Sequence, residues 1–257
     1  MGKQKTNPVL WCLPSLTDVA FVMPLLLLFL KLKGAKHLLG DGDTGWHIRT
    51  GDWILQNGRV PDRDIFSFTR PGEPWFAWEW LWDVIFSWLH STWGMAAVVI
   101  ASMLVLSVTS ALLYRLVRRK CPNVLIAIAV VFLANAASTI HWLARPHLFT
   151  LLFLVVFYSL LERVRDGNAR LLWLLPPLTV LWTNLHGGFF IGVVLVAMYG
   201  AGELASWLLE ADTESRRAAL ARSKPYLLTA AGCALASLIN PYFYQLHVHI
   251  FGYLTDS

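Results

Sequence analysis

From Met95 to Tyr114, and again from Val124 to Ala144, the chain carries no Asp, Glu, Lys or Arg. A bilayer core about 30 Å thick is crossed by roughly 20 apolar residues of helix. Two such runs in close succession, with others nearly as long, restrict the chain to one class, an all-α bundle of membrane-spanning helices. Composition agrees: 56% of residues are apolar and 14% charged, against about 25% charged in a soluble domain. The 13 Trp and 14 Phe suit bilayer interfaces. We read residues 1–257 as a single membrane domain with seven spans, near 16–32, 95–116, 124–142, 148–161, 171–185, 189–208 and 226–239. The basic-then-apolar start reads as an uncleaved signal anchor.

Lys and Arg placement orients the bundle. With the N-terminus inside, Lys3 and Lys5, Arg115 to Lys120, Arg163 to Arg170, and Arg216 to Lys224 fall in short inner segments. Lys and Arg from Lys31 to Arg70 weigh the other way. The expected topology is N-in and C-out. The net charge of +5 therefore reflects topology and gives no reason to expect nucleic acid as a partner. Cys12, Cys121 and Cys233 show no metal or redox spacing.

In this topology all eight histidines face outward, together with the acids from Asp41 to Asp83. Titratable groups gathered at one face point to chemistry there. The outer loop, residues 33–91, is predicted to hold two juxtamembrane helices. The first covers about Thr44–Gln56, with Asp43 as its N-cap and Gly58 near its end. Asp43 and His47 are i and i+4 and share a face, which Gly51 continues without bulk. The second covers Trp75–Trp93. Its polar residues Glu79, Asp83, Ser87 and His90 form one stripe, facing either headgroups or an aqueous cavity.

Asp41 and Asp43, flanked by glycines, form either a turn with a helix cap or a chemical pair. Such a pair can hold a divalent cation, magnesium or manganese, or supply a general base. Arg145, the only basic residue of the short outer loops, suits bidentate phosphate binding or snorkels to headgroups. His141 and His147 flank it. "WTNLHGGFF" sets Asn184 and His186 at the next outer turn, and "INPYFYQLHVH" sets Asn240, Tyr242, His247 and His249 after the last span. Asp18 and Glu203 lie toward inner span ends, and Gly188 and Gly192 have helix-packing spacing.

The loop opening "DGDTGWHIRTGDWILQNGRVPDRDIFSFT", the element "PGEPWFAWEWLWDVIF", and "ARPH", "LWTNLHGG" and "NPY" at outer helix ends together carry a resemblance. The arrangement resembles the GT-C superfamily of polytopic membrane glycosyltransferases, and within it bacterial proteins of the protein O-mannosyltransferase and aminoarabinose-transferase group. Members of that group generally continue into further spans. The resemblance therefore implies an N-terminal seven-span module, truncated at its C-terminus or completed by a further membrane chain. It also implies a bacterial inner (cytoplasmic) membrane location with the active face outward, and a sugar donor on a polyprenyl phosphate. Transfer would invert the anomeric centre. Asp41 or Asp43 would serve as base or metal ligand, with His47, Glu79 and Asp83 in the catalytic group. Arg145, His147 and His186 would hold the lipid phosphate, and Trp46, Trp78 and Trp82 would stack on sugar. Two other readings compete: a non-catalytic membrane scaffold subunit, and a transporter or flippase of a lipid-linked solute.

Overall fold

The structure, a computed structural model, describes residues 14–255; Lys3, Lys5 and Cys12 lie outside them. Eleven α-helices account for the described chain: α1 Leu16–Leu30, α2 Ala35–Leu38, α3 Asp43–Asn57, α4 Trp80–Trp93, α5 Met95–Lys120, α6 Val124–Ser138, α7 His147–Arg165, α8 Leu175–Leu185, α9 Phe189–Leu209, α10 Thr213–Ala236 and α11 Gln245–Thr255. The extended pairing among these residues is an isolated bridge between Arg63 and Pro74.

Four helical segments are long and apolar enough to cross a membrane: Met95–Lys120, Val124–His141, His147–Arg165 and Phe189–Leu209. Only 17% of the apolar window of Val124–His141 is buried inside the protein. Leu125, Leu133, Val194 and Met198 all point outward. This is the kind of surface that lipid covers.

The other three expected spans differ. Leu16–Leu30 is apolar but only 15 residues long. The expected span at 171–185 begins as a 3-10 turn, Ala169–Leu174, before α8. At 1.5 Å per residue, α8 is only about 16 Å long. The expected span at 226–239 is the apolar end of α10, which runs unbroken from the basic segment through Pro225. Packing carries α10 past the proline: it lies along α9, where Gly200 brings the two backbones close at Leu227.

Local sequence explains the outer-loop elements. Gly58, at φ 64°, ends α3 in the left-handed conformation that glycine adopts without steric cost. The second helix starts at Trp80, not Trp75. The Trp75 N–H donates to the Asp62 carbonyl and the Ala77 N–H to the Tyr242 hydroxyl, so residues 75–77 stay out of the helix and residues 78–79 form the turn that leads into it. Asp18 closes a capping box with Ser15, and Glu203 pairs with Arg222 at 2.8 Å. Both acids therefore have structural partners. Gly192 makes room for the Trp182 ring. Cys121 and Cys233 are free thiols.

α7 relates the two ends of the bundle. Its first residue, His147, lies near Asp41 and Arg145. Its last, Arg165, lies with the basic end of α5, where Arg119 meets Asp166 at 2.6 Å. At 1.5 Å per residue the two ends are about 27 Å apart.

Candidate functional site

The site begins at the turn Gly40–Asp43. Asp41 Oδ1 accepts the Asp43 N–H at 2.8 Å. Asp43 is therefore the first residue of α3 and not its cap. Gly42 holds the cap position without a side-chain bond, and Asp41 captures a free amide of the first turn. Both acids sit where the helix dipole favours negative charge.

The segment between α6 and α7 is bound to this turn through its backbone. The Ala144 N–H donates to the Leu38 carbonyl at 2.7 Å, and Thr44 Oγ1 donates to the Ala144 carbonyl at 3.1 Å. Arg145 follows directly. One guanidinium nitrogen reaches Asp41 at 3.0 Å and another reaches Asp43 at 2.7 Å. Side-chain exposures of 31% for Arg145, 23% for Asp41 and 42% for Asp43 leave the trio open to solvent. The Arg145 Nε–H has no hydrogen-bond partner. The Asp43 N–H, and after it Arg145, hold the Asp41 carboxyl below its ordinary range.

Deeper lies a buried polar chain. His47 faces α4 with Nδ1 2.7 Å from Asp83 Oδ1 and Nε2 3.4 Å from Glu79 Oε2. The other Glu79 oxygen is 3.4 Å from His186 Nε2. The Gly188 N–H donates to His186 Nδ1 at 3.0 Å. Nδ1 is therefore the acceptor, and the neutral ring carries its proton on Nε2, toward Glu79. Thr150 Oγ1 lies 2.7 Å from the same Nδ1 and accepts the Trp182 Nε1–H at 3.0 Å.

Burial sets the protonation of this chain. It pushes Glu79 up to about 8 and Asp83 well above the carboxylate range. It pulls His47 and His186 down to about 3. Desolvation disfavours each charged form, so near neutral pH the chain is uncharged and holds protons on its carboxyls. α3 and α4 can approach this closely because of Gly51, where a Cβ would collide with the Asp83 carbonyl.

Asp41, Asp43, His47, Glu79, Asp83, Arg145 and His186 are thus brought together from four separate parts of the chain. His147 lies beside them, its Nε2 donating to the His141 carbonyl. The stripe on α4 faces the protein interior: Glu79, Asp83 and Ser87 are buried, and Ser87 Oγ donates to Asp52 at 2.6 Å. The structure corrects one expectation. Trp82 is fully buried, with Phe86 stacked at 4.0 Å and the His47 ring against it, so it has no free face for a sugar. Asp41 and Asp43 close on Arg145 and not on a third donor. Among the described residues no group of three or more His, Cys, Asp or Glu is placed to hold a metal ion. Trp46 stacks on His47 at 3.8 Å, whereas Trp78 packs against His249 and Tyr253 with its side chain in reach of the Glu79 carboxyl.

Two contributors were missed from sequence. Thr150 lies three residues after His147 on the first turn of α7, so helical spacing could have found it. The second is a cavity of about 520 Å³ between residues 62–76 and α11, with Trp75, Phe76, Tyr242 and His249 among its walls. Tyr242 ties the loop down: its hydroxyl accepts the Ala77 N–H at 2.7 Å and donates to the Pro61 carbonyl at 2.6 Å. Trp80 Nε1 donates to Asn184 at 2.7 Å and fixes the start of α4 against the end of α8. No protein-family model, curated protein or solved structure matches this chain.

Proposed function

We propose that the chain is a membrane glycosyltransferase, or the N-terminal catalytic module of one, that uses a polyprenyl-phosphate-linked sugar as donor. The supporting observation is the guanidinium of Arg145 held between two partly exposed carboxylates, beside a buried chain of uncharged His and carboxyl groups. Asp43, the more exposed acid, takes the proton of the acceptor hydroxyl. The acceptor oxygen bonds to the anomeric carbon as the bond from that carbon to the phosphate oxygen breaks, and the configuration inverts. The electron pair leaves with the lipid phosphate. Arg145 meets the developing charge through its partly exposed guanidinium, with His147 and His186 alongside, while Asp41 keeps the guanidinium aimed. α1, α8 and the apolar end of α10 complete a seven-span, N-in and C-out bundle in a bacterial inner membrane, with the acids facing outward.

The test is sugar transfer from labelled polyprenyl-phosphate donors by the purified chain in proteoliposomes. Asp43→Asn, folded at wild-type levels, should lose about 10²-fold or more in rate, the ordinary contribution of a general base. Arg145→Ala should weaken donor binding. Wild-type rates in both Asp43→Asn and Asp41→Asn would dismiss the reading. Solute flux without product would point to transport.

A further inference from the structure

We propose that the opposite end of the bundle holds a binding site for the phosphates of an anionic membrane phospholipid. A cavity of about 420 Å³ opens there between α1, α5 and α7, lined by Thr17, Arg115, Arg118, Arg119, Ser159 and Arg163. Four guanidiniums therefore border one space. Their countercharges among the described residues are few. Arg119 pairs with Asp166 at 2.6 Å, and Arg118 donates to the Cys121 carbonyl at 2.6 Å. Glu162, the buried acid nearby, is engaged by Lys120 and Arg165. Arg115 and Arg163 make no ion pair among the described residues.

Neutralising helix ends accounts for part of this charge. Arg118, Arg119 and Lys120 stand in the last turn of α5, and Arg163 in the last turn of α7, where cations offset the dipole. It does not account for Arg115, outside that last turn, or for a cavity that gathers guanidiniums from two helices together with the hydroxyls of Thr17 and Ser159. Planar guanidiniums match phosphate oxygens in pairs. Basic pockets between spanning helices are suited to anionic headgroups. A headgroup bearing two phosphates, as in diphosphatidylglycerol, balances the charge best. Acyl chains have a surface beside it: Leu16, Val19, Val22 and Leu26 recur at helical spacing along α1 from the level of Thr17, and all are exposed. This site stands about 27 Å of helix from the outer acids and does not depend on the transferase reading.

The purified full chain in detergent micelles would be titrated with diphosphatidylglycerol and followed by native mass spectrometry and thermal unfolding. One lipid should remain bound and raise the unfolding midpoint. A Lys or Arg near anionic lipid is worth about fivefold in affinity, so Arg115→Gln and Arg163→Gln should each weaken binding about fivefold and together about 30-fold. Arg217→Gln, exposed on α10, should bind as wild type. If the double variant does not fold, the single variants decide. The proposal is overturned if folded variants bind undiminished, if phosphatidylcholine binds as well, or if inorganic pyrophosphate at equal concentration gives the same rise.

Discussion

Gly51→Ala adds one methyl group at the tightest point between α3 and α4. That carbon would lie 2.6 Å from Ser87 Cβ and would also overlap the Asp83 carbonyl. Carbon atoms pack at about 3.5 Å, so the helices must part by about 1 Å. His47 would then move from 2.7 Å to beyond hydrogen-bonding range of Asp83. Overpacking costs about 1–3 kcal/mol, and the lost hydrogen bond between uncharged groups about 0.5–1.5 kcal/mol. The gain in helix propensity returns up to about 1 kcal/mol, so the expected net loss is about 1–4 kcal/mol. Gly45→Ala is the matched control. It lies on the same helix with nothing within 4 Å of the added carbon, and should gain up to about 1 kcal/mol. Denaturant unfolding of both variants in one detergent decides the matter. If Gly51→Ala is as stable as Gly45→Ala, the close approach does not hold the His47–Asp83 pair.

Stability should also depend on pH through Glu79. Its carboxyl ionises near 8 in the folded chain against an ordinary 4.5, so the folded state carries the extra proton and stability falls as pH rises between those values. His47 and His186, near 3 against 6.5, act oppositely, adding stability up to about pH 6.5 and nothing above it. Glu79→Gln, neutral throughout, should therefore show a shallower fall in unfolding midpoint from about pH 6.5 to 8, and a wild-type slope would count against the assignment. Tyr242→Phe strips a partner from the Ala77 N–H and the Pro61 carbonyl. It should cost about 1–3 kcal/mol and expose residues 58–79 to limited proteolysis; unchanged cleavage would show that the clasp is dispensable.

Much of the site could be read from spacing because spacing is local. A spacing of four from Asp43 to His47, and again from Glu79 to Asp83, defines helix faces before any fold is known. The pairings between segments were not legible. Arg145 stands 104 residues from Asp41, and hydrophobic periodicity carries no information at that range. α4 is apolar nearly all round, so its sequence did not reveal that Trp82 is sealed inside while Trp88 is exposed. Residues 75–79 looked helical because the contacts that keep residues 75–77 out of the helix come from the distant Asp62 and Tyr242. At Pro225 the local rule that proline ends a helix gave way to the tertiary packing of α10 on α9.

The clasp at Tyr242 has a consequence for the order of assembly. Its partner carbonyl at Pro61 is made 181 residues earlier, and Asp41 precedes Arg145 by 104. At about 5–20 residues per second, the acids exist for roughly 5–20 s before their guanidinium is synthesised, and the loop waits about 10–35 s for its tyrosine. A ribosome stalled before Arg145 would therefore leave a chain with its acids exposed and uncompensated, a state that a quality-control protease could distinguish from the finished protein.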